Sequence, residues 1–278
     1  MFVVNSKKII LGAYKKQKAI GAFNAHNLEI FEAIVSAANL IKAPVIIQVT
    51  PSTLEYFSPA YFKDLVTTAG KIYPNLPIAI HLDHGKDIKQ VLECLELGFS
   101  SVMVDAAEKS LSENIKITKK VVKIARRFRV SVEAEIGEMP NSHKKNGACL
   151  VDTEEVKKFV EETKIDFLAA PLGTRHGMKG PEGAEHINFS YLKEIHQAIK
   201  IPLVLHGASG VARQELKRAR LYGIAKINFD TAIRKIFTNT LRKFMGANKT
   251  EEDPRVYLNA AGEGVEKMIS EKIKTIYF

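Results

Sequence analysis

Eight short runs of apolar and β-branched residues recur along the chain, and stretches patterned as amphipathic helices lie between them. The runs are AIGAF (19–23), PVIIQVT (44–50), IAIHL (78–82), SVMV (101–104), VSVEAE (130–135), FLAAPL (167–172), LVLH (203–206) and IAKIN (224–228). Between them, NLEIFEAIVSAANLI, DIKQVLECLELG and TEEVKKFVEET carry apolar residues at helical spacing. Gly98 and Gly223 stand where a helix C-terminus wants a left-handed residue. Strict strand–helix alternation implies a parallel sheet, and eight units imply that it closes. The expected fold is therefore α/β, a (β/α)8 TIM barrel, with additional C-terminal helices after Asn239. No Pro/Ser/Gly-rich linker divides the chain, so residues 1–278 read as a single domain.

The spacing of three histidines agrees with that unit. His84, His176 and His206 each follow an apolar run, in IAIHLDHG, FLAAPLGTRHG and IPLVLHGASG. They are separated by 92 and then 30 residues. A barrel of this kind spends roughly 250 residues on eight units, about 31 each. The gaps are thus three units and one unit, which puts the imidazoles at the C-terminal ends of different strands of one barrel. Three neutral nitrogen ligands with an open fourth position describe a catalytic Zn2+ site.

Bulk properties narrow the partners. A hydrophobic content of 46% can fill a core, and the mean hydropathy of −0.07 suits a soluble protein. No stretch approaches the roughly 18 uninterrupted apolar residues of a membrane span, and MFVVNSKKII lacks the layout of a signal peptide. Cys94 and Cys149 are isolated, as expected in a reducing, cytoplasmic setting. The net charge is +10. Its densest patch, Lys116 to Arg129, falls on the polar face of one helix without interleaved aromatics, so neither nucleic acid nor a membrane is the expected partner. A small polyanionic substrate suits the charge.

Active sites of such barrels lie where the βα loops converge. Asn24, Thr50, Asp83, His84, Asp105, Glu135, His176, His206 and Asn228 to Thr231 all fall at strand ends. Asp83, beside a metal ligand, is placed for proton transfer. Asp105 and Glu135 are either partners that orient the histidines or ligands of a second metal position. Gly207, Ala208, Ser209 and Gly210 form one loop, and Asn228, Phe229, Asp230 and Thr231 open a helix. Two such turns after neighbouring strands suit a phosphate group. Arg234, one helical turn on, reads either as exposed or as a phosphate contact, on a helix that leads away from its own barrel mouth. His81 reads as packed inside its strand, and His26, His143, His186 and His196 as loop or surface residues. A Schiff-base mechanism would need a lysine facing the mouth, whereas Lys226 lies inside the eighth run. An amidohydrolase would want H-x-H in the first run, and AFNAHN has one histidine.

HLDHG, SVMVDA, VEAEIGE, GTRHG, LVLHGASG and KINFDT, in this order, resemble the class II, metal-dependent ketose-bisphosphate aldolases over about residues 1–245, and AFNAHNLE and APVII belong to the same likeness. The resemblance implies that Asp83 is the proton donor, that His84, His176 and His206 bind the catalytic zinc, and that Asp105 and Glu135 are associated with a second zinc or a monovalent cation position. It implies that Gly177, Gly207 to Ser209 and Asn228 to Thr231 bind dihydroxyacetone phosphate, and that Thr50 meets the aldehyde half. It also implies a homodimer or homotetramer. The sequence departs from the family pattern in a shorter loop, EMPNSHKKNGAC, whose one acid is Glu138, and in GMKGPEG, where Lys179 stands for the usual lysine. Ala-Pro-Leu before GTRHG and Arg175 are unusual as well. The expected substrate is fructose 1,6-bisphosphate. Tagatose 1,6-bisphosphate, a deoxy-ketonate phosphate and a non-catalytic sugar-phosphate-binding role are the alternatives.

Overall fold

The computed structural model describes residues 3–137, 150–175, 177 and 183–278. Its eight strands are β1 (Ile20–Asn24), β2 (Val45–Val49), β3 (Ile78–Gly85), β4 (Ser101–Val104), β5 (Ser131–Glu135), β6 (Phe167–Ala169), β7 (Leu203–Leu205) and β8 (Ile224–Phe229). All pair in parallel and in chain order, and β8 returns to β1, closing the barrel. The expected (β/α)8 fold is what forms, and fourteen of the sixteen sequence-derived strand limits fall within one residue of those seen.

Two strands differ for identifiable reasons. The sixth run was expected to continue to residue 172, but β6 stops at Ala169. Pro171 has no N–H to donate, so the ladder ends before it. The third run was expected to end at residue 82, whereas β3 continues to Gly85 through a register shift against β4. His84 sits in that irregularity with φ of 53°, a left-handed conformation uncommon outside glycine.

An outer ring covers the strands: α2 (Leu28–Ile41), α3 (Pro51–Tyr56), α4 (Pro59–Ile72), α5 (Ile88–Glu96), α6 (Leu111–Arg127), α7 (Thr153–Thr163), α8 (Phe189–Ala198), α9 (Arg213–Ala219), α10 (Thr231–Ala247) and α11 (Pro254–Tyr277). Their starts follow from side chains that accept from exposed N–H groups of the first turn, such as Asn27 from Ile30 and Ser110 from Glu113. The basic residues of α6 lie on its exposed face, as expected. The extra helical region does not begin after Asn239, because α10 runs unbroken through that position to Ala247. No proline or glycine interrupts it before Gly246. Helix α11 buries Ala261, Val265, Ile269 and Ile273 against α2, α10 and β1.

A helix outside the sequence reading, α1 (Ser6–Tyr14), closes the end of the barrel opposite the strands' C-termini. Its Ile10 and Ala13 pack with Ile20, Ala22, Ile46, Ala79, Phe167, Ala169, Val204 and Ala225, which fill the barrel's lower interior. No helix among the described residues is long and apolar enough to cross a membrane.

Candidate active site

The C-terminal rim gathers the polar strand ends. Along a strand, side chains alternate between faces, so Asp83 and His84 cannot both face inward in regular geometry. The irregularity in β3 resolves this, since the left-handed His84 turns its ring to the mouth beside Asp83. A Cβ at Gly85 would lie 2.8 Å from Met103 O, so the turn out of β3 also depends on glycine there.

Ligand atoms of Asp83, His84 and His206 all lie within 4.8 Å of one another, close enough to share one ion. A second grouping, His84 with Asp105 and Glu135, meets the same distance. His84 belongs to both. Its Nδ1 is 2.8 Å from Asp105 Oδ2, so Asp105 orients the ring. Burial alone would lower the His84 pKa, but Asp83, the Asp105 hydrogen bond and Glu135 override it and raise it to about 10. Burial likewise works against the Asp105 carboxylate, and His84 nonetheless holds it below its ordinary value. The centre thus attracts positive charge, and imidazole with carboxylate donors suits zinc. Two sequence-derived residues, His176 and Lys179, lie outside the described residues, as do Glu138, His143 and Cys149.

Asp83 is 4% exposed and held from three sides. Asn24 Nδ2 and Gln48 Nε2 donate to its Oδ2 at 3.3 and 3.1 Å, and Asn228 Nδ2 to its Oδ1 at 3.3 Å. Gln48 also donates to Asn24 Oδ1 at 2.7 Å, locking that amide. Asn228 Oδ1 is buried without a hydrogen-bond partner among the described residues, and its side chain lines the mouth. Such a buried acceptor is costly unless a ligand or water meets it.

The β7 and β8 loops meet as expected. Gly207 has φ of 66°, and a Cβ there would lie 2.6 Å from Arg175 O, so glycine lets the β6 and β7 loops touch. Ser209 Oγ accepts from Ala232 N at 3.2 Å, capping α10 and tying the two loops together. Gly177, Gly207, Ser209, Asn228, Thr231 and Thr50 line the mouth. Thr50 Oγ1 lies 3.0 and 3.2 Å from the hydroxyls of Ser52 and Thr53. Ala208 is fully buried in a short 3-10 turn and can offer only its backbone. The Phe229 ring is buried and stacks on Phe23 at 5.3 Å, on the outward face of β8, so only its backbone is left for the loop's expected role.

Two rim contacts lie beyond what the sequence specified. Arg234 is exposed and stands at its own barrel mouth. It folds back onto Asp230, donating through Nε at 3.1 Å and Nη2 at 2.7 Å, and lines the same mouth. His26 is the loop residue the sequence suggested, and its Nε2 lies 2.7 Å from Asp230 Oδ1, a contact the sequence did not show. The Asp230 side chain consequently does not cap α10. Burial works against the Asp230 carboxylate, and His26 and Arg234 nonetheless hold it below its ordinary range. Sequence reasoning also passed over Gln48 and Glu133. Each is a polar residue inside an apolar strand, and Glu133 shares its face with Glu135 two positions on, which was the signal available.

The family described as fructose-bisphosphate aldolase class-II matches residues 4–277. A fructose-bisphosphate aldolase of Thermus caldophilus is 34% identical, with 98% of this chain and 97% of the relative covered. One from Helicobacter pylori is 33% identical, covering 99% and 98%. Among solved structures, the YdjI aldolase from Escherichia coli K12 superposes with a TM-score of 0.84 at 27% identity, over 99% of this chain and 97% of that one.

Proposed function

The chain belongs to the class II fructose-bisphosphate aldolase family and is an aldolase of the lyase class, and we propose that it is a zinc-dependent enzyme reversibly splitting fructose 1,6-bisphosphate into dihydroxyacetone phosphate and glyceraldehyde 3-phosphate. The observation that carries this reading is the convergence of Asp83, His84 and His206 at the mouth. His84 and His206, with His176 from the sequence motif, would hold the zinc, and Asp105 and Glu135 a second cation position. A zinc ion held by these residues would supply Lewis-acid stabilisation of the negative charge that carbon–carbon cleavage leaves.

The chain's own groups do the rest. Asp83 takes the proton from the hydroxyl that becomes the aldehyde and returns it during condensation. Asn24, Gln48 and Asn228 keep its carboxylate aimed. The loop at Gly207 to Ser209 and the start of α10 present backbone donors and a positive helix end to a phosphate, which orients the substrate away from the bond that breaks. Asp230, clamped by His26 and Arg234, reads the C4 hydroxyl that distinguishes fructose from tagatose 1,6-bisphosphate. The imine route has no support from Lys226, which is 1% exposed and paired with Glu133. We further propose that the whole chain acts as one barrel domain in a cytoplasmic homodimer or homotetramer.

A substrate panel with zinc-loaded protein tests the reading. Cleavage of fructose 1,6-bisphosphate should exceed that of its C4 epimer and of a deoxy-ketonate phosphate. Chelator should abolish it, and borohydride with substrate should leave it intact. Asp230→Ala should narrow the epimer preference by about 1–3 kcal/mol, the cost of leaving a buried polar group unpaired. Activity that survives chelation and is lost to borohydride would refute the zinc mechanism.

A further inference from the structure

Barrel interiors of this kind are filled by branched apolar side chains, yet directly below the mouth this one holds a buried polar chain that the cleavage chemistry leaves unused. Glu133, fully buried in β5, has Oε1 2.9 Å from His206 Nε2, and its Oε2 accepts from Lys226 Nζ at 2.7 Å. Lys226 Nζ also lies 3.3 Å from His81 Nε2, and His81 Nδ1 lies 2.7 Å from Ser101 Oγ. Ser6 Oγ, on α1, donates to Ser101 Oγ at 2.7 Å. A chain of contacts therefore runs from the rim histidine to the helix that closes the far end.

Donor chemistry sets its direction. An ammonium only donates and a carboxylate only accepts. His81 Nε2 therefore accepts from Lys226, and His81 Nδ1 carries the ring proton toward Ser101. Burial, and after it the Lys226 charge, lower the His81 pKa well below its ordinary value, which suits a neutral ring. At the other end His206 Nε2 has two neighbours, Glu133 Oε1 at 2.9 Å and the amide nitrogen Asn228 Nδ2 at 3.3 Å. The shorter contact, to a carboxylate that can only accept, sets the direction, so Nε2 carries the proton and the lone pair of the neutral imidazole is on Nδ1. A buried ion pair is weak evidence of a stabilising role, because apolar residues of similar volume commonly serve as well or better. Its use here is better sought in what it touches, and that is His206.

We propose that Glu133, clamped by Lys226, is a positioning residue that fixes His206 in the Nε2–H tautomer and so makes Nδ1 the nitrogen offered to a metal ion. The metal half of this statement rests on the zinc reading above, while the tautomer does not. Lys226 keeps the carboxylate in place by occupying the oxygen that faces away from His206, so neither member of the pair acts alone.

Two measurements on the full chain test it. In metal-free protein labelled with 15N at histidine, the His206 ring should show a protonated Nε2 and an unprotonated Nδ1. The opposite tautomer in the wild type would overturn the proposal without any variant. The second compares E133Q with the double variant E133Q/K226M, which removes both buried charges and so keeps the core neutral should the single variant fail to fold. Zinc affinity, read by competition with a chromophoric chelator, should fall about 10–100-fold, the range for groups that orient a ligand. The His206 signals should shift toward mixed tautomers, and metal-free thermal unfolding of the double variant should stay near wild type. Retention of the Nε2–H tautomer with wild-type zinc affinity in the double variant would overturn the role of Glu133. A wild type with the Nε2–H tautomer but no zinc binding would overturn the zinc reading and leave the tautomer assignment standing.

Discussion

The two halves of the barrel interior are built from the same strands and differ completely in chemistry. Toward α1, the inward side chains are Ile20, Ala22, Ile46, Ala79, Phe167 and Val204, all at most 1% exposed. One inward step up the same strands they become Asn24, Gln48, His81 and His206, which are buried to the same degree. A step of two residues along a strand is roughly 6.6 Å, so a single side-chain layer separates the packed floor from the chemical mouth. The floor excludes water by shape. The mouth must instead satisfy each buried polar group with a partner, which is why its residues form a network rather than a cluster. Stability and reactivity can therefore be altered almost independently within one strand.

The largest expected effect belongs to the mouth. Asp83→Asn should lower kcat by about 10²–10⁴, the range for a lost acid–base group, while zinc binding and the unfolding midpoint stay near wild type. Loss of zinc together with activity would move Asp83 into the ligand set. The complementary change is Phe167→Ala in the floor. It should cost about 3–5 kcal/mol of stability, read from urea denaturation, with KM and zinc affinity retained where the protein is folded. A large kcat loss in the folded Phe167→Ala protein would show that the halves are mechanically coupled.

The smallest effect sharpens the contrast through pH. The His84 pKa is raised from 6.5 to about 10 in the folded chain. That contribution to the stability of metal-free protein is fully present below the unfolded value of 6.5 and is lost as pH rises toward 10. Above an ordinary value of 9.0, the buried Cys94 thiol, pushed up to about 12, adds its own loss, so the informative window lies below that. His81, lowered, acts only below 6.5. From pH 6.5 to 9.0, unfolding free energy of the metal-free protein should fall with a slope of at most about 1.4 kcal/mol per unit. Saturating zinc should flatten it, and a slope unchanged by zinc would separate His84 from the metal.

The sequence alone determined the eight-unit barrel, because strand and helix periodicities report which face of each element is buried, and that is a local property. It also determined Asp83, His84 and His206 as rim residues, because the strand end and the turn after it are local too. Only the tertiary structure decided what those residues touch. His26 meets Asp230 across 204 positions, Glu133 meets His206 across 73 and Lys226 across 93. No periodicity encodes such pairs, since they exist only once the barrel has closed. The same holds for α1, a helix the sequence reading did not include, whose partners are supplied by the closed barrel floor. The return of Arg234 to its own mouth was equally hidden, because a side chain's direction at a helix start depends on which partner waits there, and Asp230 is four residues back and already held by His26.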